Sequence, residues 1–335
     1  MKPLFPYFGG KSKVAAHVWE ALGDCHYIEP FLGSAAVLLE RPDWHKKKLS
    51  TVNDIDAFLS NCWRSLKNDF ASVASWADYP VDECELHARH IWLLMQKEQL
   101  GLKLMADVDY YDTRAAGYWL YGMCCWIGGG FCSGKGPWWP DENGLLAKRN
   151  GDSGVGIWKT SPAITDSGVG IKRIMPSLGN AGRGINRSEF DLATMLDLYA
   201  EKLRNVRILC GDFERVLGNS VLNVSVVTGV FLDPPYDTTM RDNVYNNDED
   251  NVAQRVNQWC ISAPSTTRIV VAGYEGEHNN LESLGWTKYQ WTASIGYRTL
   301  RKTGTNDNRY KESLWCNPAC NPITGLKLAE VSNVS

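Results

Sequence analysis

The 335-residue chain has no apolar run approaching the length of a membrane span, so no spanning helix is expected. Its opening, Met1-Lys2-Pro3-Leu4-Phe5-Pro6, lacks the pattern of a secretory leader. A soluble, cytoplasmic protein is the expectation. The 10 cysteines follow neither a disulfide framework nor zinc-ligand spacing: Cys124 and Cys125 are adjacent, and Cys316 and Cys320 lack a second pair or a nearby His. Reduced thiols and no metal site are expected. The 6 histidines are scattered singly, which favours structural over catalytic roles. A net charge of -3 gives no overall attraction to a polyanion, so contact with nucleic acid must come from a local patch.

What the chain does have is a hydrophobic content of 44% and 14 tryptophans, enough for a sizeable core. The organising stretch is Ser225-Val226-Val227-Thr228-Gly229-Val230-Phe231-Leu232, which reads as a buried strand and runs into Asp233-Pro234-Pro235-Tyr236. A Pro-Pro pair donates no backbone N–H, so the chain must leave the sheet there, at the carboxyl edge where open α/β sheets bind ligands. Asp233 supplies a carboxylate, the prolines fix an outward carbonyl, and Tyr236 supplies a flat face. That set suits an exocyclic amine on a planar base. The ordinary alternative is a strand end followed by a turn.

Upstream, Phe5-Pro6-Tyr7-Phe8-Gly9-Gly10-Lys11 places aromatics, a Gly pair and a Lys ahead of a helix over residues 12–22. Glycines let backbone approach a ligand and Lys11 can meet a carboxylate; a solvated loop is the alternative. Residues 27–39 read as strand, glycine turn at Gly33-Ser34 and apolar helix, the first βα unit of a nucleotide-type fold. Residues 49–56 give a second strand ending in acids, roughly 20 residues past the turn, the usual place of a ribose-binding acid. Asp54 is the choice for that role, because Asp56 is placed to cap the next helix.

These segments, FPYFGGK, IEPFLGSA, VNDID and DPPY in this order, resemble those of the Dam-like, α-class DNA adenine-N6 methyltransferases. The resemblance covers residues 5–56 and about 206–316; Ala35 stands where that family usually has a second Gly. It implies a Rossmann-like α/β methyltransferase fold, S-adenosylmethionine as cofactor and double-stranded DNA as partner; a monomer when free and a place in restriction-modification or phage modification are further expectations, the pairing with a restriction enzyme being left open. It also implies that Tyr7, Gly9, Gly10 and Lys11 contact the cofactor, that Phe31, Gly33 and Ser34 line its pocket, and that Asp54 holds its ribose. Asp212 and Phe213, after a strand over residues 205–210, would meet its adenine; an Asp helix cap is the alternative reading there. Asp233, Pro234, Pro235 and Tyr236 would carry transfer, with Asp233 also touching the cofactor.

The catalytic domain is thus expected in two parts, residues 1–56 and 205–322, around an inserted target recognition domain, 57–204, and followed by a frayed tail, 323–335. Helices are expected over 56–70, 81–100 and 107–127. Residues 128–187 turn rich in Gly, Pro and Trp. Gly129 to Lys135 satisfies GxxxxGK, but Gly136 replaces Ser or Thr and no strand precedes it, which argues against a P-loop. Asp-Ser-Gly-Val-Gly-Ile occurs at 152–157 and again at 166–171, as two arms of a ribbon would. From 131 to 187 basic residues exceed acids by four. Lys135, Arg149, Lys159, Lys172, Arg173, Arg183 and Arg187 are the expected DNA contacts, against the plain alternative of a solvated loop. Ser188 is expected to cap the next helix, with Asp191 in a capping box. An acidic loop, 237–250, then leads to a helix over 252–261 and to strands near 268–272, 286–291 and 311–316. Rivals from other classes are a methyltransferase acting on RNA or protein glutamine, and an inactive nucleic-acid-binding module.

Overall fold

The computed structural model describes residues 4–5, 7, 10–42, 48–126, 131–132, 138–140, 146–148, 191–235, 252–274, 276–290 and 312–328. The strands are β1 (His26–Glu29), β2 (Ser50–Asp54), β3 (Trp138–Pro140), β4 (Leu146–Lys148), β5 (Val206–Cys210), β6 (Thr228–Leu232), β7 (Arg268–Tyr274), β8 (Thr287–Gln290), β9 (Glu312–Cys316) and β10 (Lys327–Leu328). Helices are α1 (Ala15–Leu22), α2 (Ala36–Leu39), α3 (Ala57–Ala77), α4 (Glu83–Ala106), α5 (Thr113–Cys125), α6 (Leu192–Leu203), α7 (Asn219–Leu222) and α8 (Val252–Ser262).

Eight strands form one sheet in the order β10-β8-β9-β7-β6-β1-β2-β5. The run β5-β2-β1-β6-β7 is parallel, and β9 enters antiparallel between β7 and β8. This is a Rossmann-like methyltransferase arrangement, as the motifs imply. β3 and β4 form a separate antiparallel pair.

Burial on both faces explains the apolar runs. In β6 every residue is buried, and side chains alternate between two cores. Phe231 joins the cluster with α1, α3, α5 and α6, whereas Val230 and Leu232 join the one beneath α8. The helical segment 57–125 therefore packs directly on the sheet. No described helix is long and apolar enough to cross a membrane.

Several element ends differ from expectation for local reasons. β6 begins at Thr228, not Ser225: Val226 is fully exposed and the Thr228 hydroxyl donates to the Leu222 carbonyl, tying the entry to a turn. α3 runs on to Ala77 through a kink at Asp69 (φ -154°, ψ 67°), whose carboxylate accepts from Ser72 N–H at 3.0 Å and so caps the second half. α5 starts at Thr113, because Asp107 closes α4 and Asp112 caps α5 by accepting from Ala115 N–H. Asp191 itself is the cap of α6, accepting from Thr194 N–H at 2.6 Å; Ser188 lies outside the described residues. Such caps are each worth about 1 kcal/mol. The tail does not fray at Ile323: Thr324 N–H donates to Glu20, and β10 pairs with β8.

Candidate active site at the carboxyl edge of the sheet

Because β1, β2 and β6 run parallel, Glu29, Asp54 and Asp233 all emerge at one edge of the sheet. The register pairs Glu29 with Val52, so Glu29 and Asp54 share the face on which Phe231 lies. Here a cleft of ≈ 680 Å³, partly open to solvent, is lined by Tyr7, Gly10, Lys11, Glu29, Phe31, Gly33, Ser34, Asp54, Asp233 and Pro235 among others.

The opening segment is pinned over this cleft by aromatic packing. The Phe5 ring sits 4.9 Å from Trp119 and 5.6 Å from Trp63, and 6.1 Å from Tyr7. Tyr7 in turn covers Gly33 so closely that a Cβ there would stand 2.9 Å from its ring. Gly33 also has φ +49°, which a side chain would strain. Farther on, Lys11 is only 5% exposed and its Nζ lies 3.0 Å from Asp233 Oδ1, with Asp233 20% exposed. This ion pair joins the first motif to the last across more than half the chain.

Asp54 works as a backbone organiser. Its Oδ2 accepts from Gly33 N–H and its Oδ1 from Asp56 N–H, both at 2.9 Å. Burial nonetheless pushes its carboxyl up to about 7, against the pull of those amides. Asp56 caps α3 through Phe58 N–H and Leu59 N–H, as its position implies. Ala35, at the family's second glycine position, is fully buried and left-handed at φ 56°, ψ 25°. The helix it starts is four residues long.

Two acids that sequence reading did not single out belong to this edge. Glu29 is 2% exposed, lines the cleft, and its Oε2 has no hydrogen-bond partner. Burial, followed by the charges of Asp233 and Asp54, holds its carboxyl well above the carboxylate range, although Tyr27 pulls the other way. Its signal is the acid-then-proline grammar shared by Glu29-Pro30 and Asp233-Pro234. Glu312 begins β9, whose reversed direction returns it to the carboxyl edge; desolvation and Asp233 raise its carboxyl while Lys11 lowers it.

Asp212 and Phe213 stand beside the cleft, next to β2, where Gly211 N–H donates to the Asp54 carbonyl at 3.1 Å. Asp212 caps a 3₁₀ turn over Phe213–Val216 through Glu214 N–H and also pairs with Arg255. Phe213 is buried against Phe31, with rings 5.1 Å apart and 28° from parallel. Pro234 is buried. Gly9 and Tyr236 lie outside the described residues, as do Lys135, Arg149, Lys159, Lys172, Arg173, Arg183, Arg187, the acidic loop, both hexapeptide copies and all of the GxxxxGK stretch except Phe131 and Cys132.

Chemically, the cleft offers several carboxyl groups and one buried lysine. It fits a ligand that carries N–H or O–H donors along most of its length and an acceptor near Lys11. Among the described residues, no group of three His, Cys, Asp or Glu is poised for a metal ion. No curated protein matches the chain. Residues 7–111, which supply Tyr7, Lys11, Glu29, Gly33 and Asp54 to the cleft, match the family model of the D12 class N6 adenine-specific DNA methyltransferase, and the Dam-like resemblance of the motifs is consistent with that family.

Proposed function

We propose that the protein is a DNA adenine-N6 methyltransferase that takes its methyl group from S-adenosylmethionine. The observation that carries this reading is the Lys11–Asp233 pair: it brings the cofactor lysine motif and the DPPY acid to one cleft, beside Glu29 and Asp54. The donor set suits the cofactor. The unpartnered Glu29 Oε2 and the Asp54 carboxyl face a ligand with ammonium, sulfonium and ribose hydroxyl groups, and Lys11 can answer its carboxylate. Bound there, the cofactor supplies an electrophilic methyl group.

The protein's own part is positioning and electrostatics. Adenine leaves the DNA stack, Tyr236 stacks on it, and Asp233 with the Pro234 carbonyl accepts from its exocyclic amine. Those two acceptors hold the nitrogen lone pair toward the methyl group. Methylation of that amine would release one of its protons, and the Asp233 carboxylate that accepts from the amine is placed to take it and pass it to solvent. Lys11 holds the Asp233 carboxylate in place, its Nζ 3.0 Å from Oδ1. Target recognition falls to the glycine-rich, basic half of the segment 57–204, Lys135 to Arg187, which would meet DNA phosphates and bases.

The test is methyl transfer from radiolabelled cofactor to duplex DNA, with RNA and a glutamine-bearing protein in parallel. Label in N6-methyladenine of the DNA is the expected result. Label only in RNA or protein would replace the substrate, and no cofactor binding at all would leave a nucleic-acid-binding module.

A further inference from the structure

Arg255, on α8, holds a site that the cofactor reading gives to an adenine ring. Its Nη2 donates to both Asp212 oxygens, each at 2.9 Å. Its guanidinium carbon stands 4.7 Å over the Phe213 ring. Phe213 in turn stacks on Phe31, which lines the cleft. A guanidinium is planar and presents in-plane N–H donors while offering a flat face to an aromatic ring. An adenine with its exocyclic amine has the same two properties. One carboxylate and one ring are thus engaged by a side chain in the manner suited to a purine.

We propose that Arg255 competes with the cofactor's adenine for Asp212 and the Phe213 face and must leave Asp212 for the cofactor to seat there; this rests on the S-adenosylmethionine reading above. Glu214 makes the exchange inexpensive. Its Oε1 already accepts from Arg255 Nε at 3.1 Å and lies 2.9 Å from Nη2, so the guanidinium keeps an ionic partner after leaving Asp212. The groups are partly exposed, with Arg255 at 26% and Asp212 at 39%, so the contact can open without unpacking a core. Arg255 is then a competitor of the cofactor, and affinity is reduced by the fraction of molecules in which it is seated.

Calorimetric titration of the full chain with S-adenosylhomocysteine tests this. Arg255→Ala should bind at least about threefold tighter than the parent. Arg255→Gln, which keeps an amide donor and loses the charge, should fall between them and guards against a fold defect in the first variant. Raising NaCl from about 50 mM to about 500 mM should tighten binding by the parent, because salt screens the exposed ion pair, and leave Arg255→Ala unchanged. Equal or weaker binding by both variants, with unchanged Tm, overturns the displacement while leaving the cofactor reading intact. If neither the parent nor the variants bind, both readings fall together.

Discussion

At the residue scale, the Lys11–Asp233 pair separates binding from chemistry. Asp233→Ala should slow single-turnover methyl transfer by about 100-fold or more, because one of the two acceptors aimed at the reacting nitrogen is gone. A near-normal rate would remove Asp233 from the mechanism. Asp54 makes a pH prediction. Its carboxyl, pushed up to about 7, accepts from a ribose hydroxyl more strongly once ionised, so cofactor affinity should rise as pH goes from about 6 to about 8. Asp54→Asn should bind weakly at every pH, and a parent affinity that is flat across that window would assign Asp54 to the backbone alone. Ala35 carries strain of the left-handed region, about 1 kcal/mol for a residue with a Cβ. Gly would relieve that strain, and its larger unfolded-state entropy offsets part of the relief, so Ala35→Gly should stabilise by less than about 1 kcal/mol. A thermal melt with a lowered Tm would refute it. Asp54 and Asp56 could be read from spacing and cap chemistry. Glu29 could not, because an acid at a strand end is ordinary until the register shows which face it leaves. Nor could the Asp212–Arg255 pair, whose partners lie on separate elements with no local pattern linking them.

Between elements, the packing of α5 on α3 depends on Gly117. A Cβ there would stand 2.3 Å from the Trp76 Cβ and 2.9 Å from the Val73 carbonyl, so Gly117→Ala must push two helices apart. The expected cost is about 1–3 kcal/mol. Gly101 in α4 is the control: a Cβ would lie 3.6 Å from Ala57, ordinary contact, and Gly101→Ala should gain about 0.5–1 kcal/mol from helix propensity. Denaturant melts of the pair that move in the same direction would contradict this account. Hydrophobic periodicity made α3 to α6 and the parallel strands legible, since each buries a continuous stripe or run. Their ends were less so. Val226 has the β-branched character of a strand residue, yet only its position outside the sheet decides that it is exposed, and nothing local distinguishes Asp191 as cap from Asp191 as third residue of a box. β10 was missed because two residues are too few to show alternation.

For the molecule as a whole, motif order gave the Rossmann-like arrangement, because an acid or a glycine turn after each strand marks the same edge in every βα unit. The return of β9 between β7 and β8 had no such marker. DNA binding belongs at this scale, since it sums charges over a surface. Replacing Lys172 and Arg173 together by Ala should flatten the salt dependence of DNA affinity by up to about two units of slope and leave cofactor affinity unchanged. An unaltered slope would move the DNA surface elsewhere. The sheet order also has a consequence in time. β1, near the start, pairs with β6 about two hundred residues later, and β7 waits for β9 at residues 312–316. At roughly 5–20 residues per second of synthesis, the first strand spends on the order of 10–40 s without its central neighbour. During that interval Lys11 has no Asp233 to meet, and the apolar edge of β1 is open to other chains. Yield of active protein should therefore respond to slower translation or to a chaperone that shields such edges far more than to any gain in stability of the finished fold.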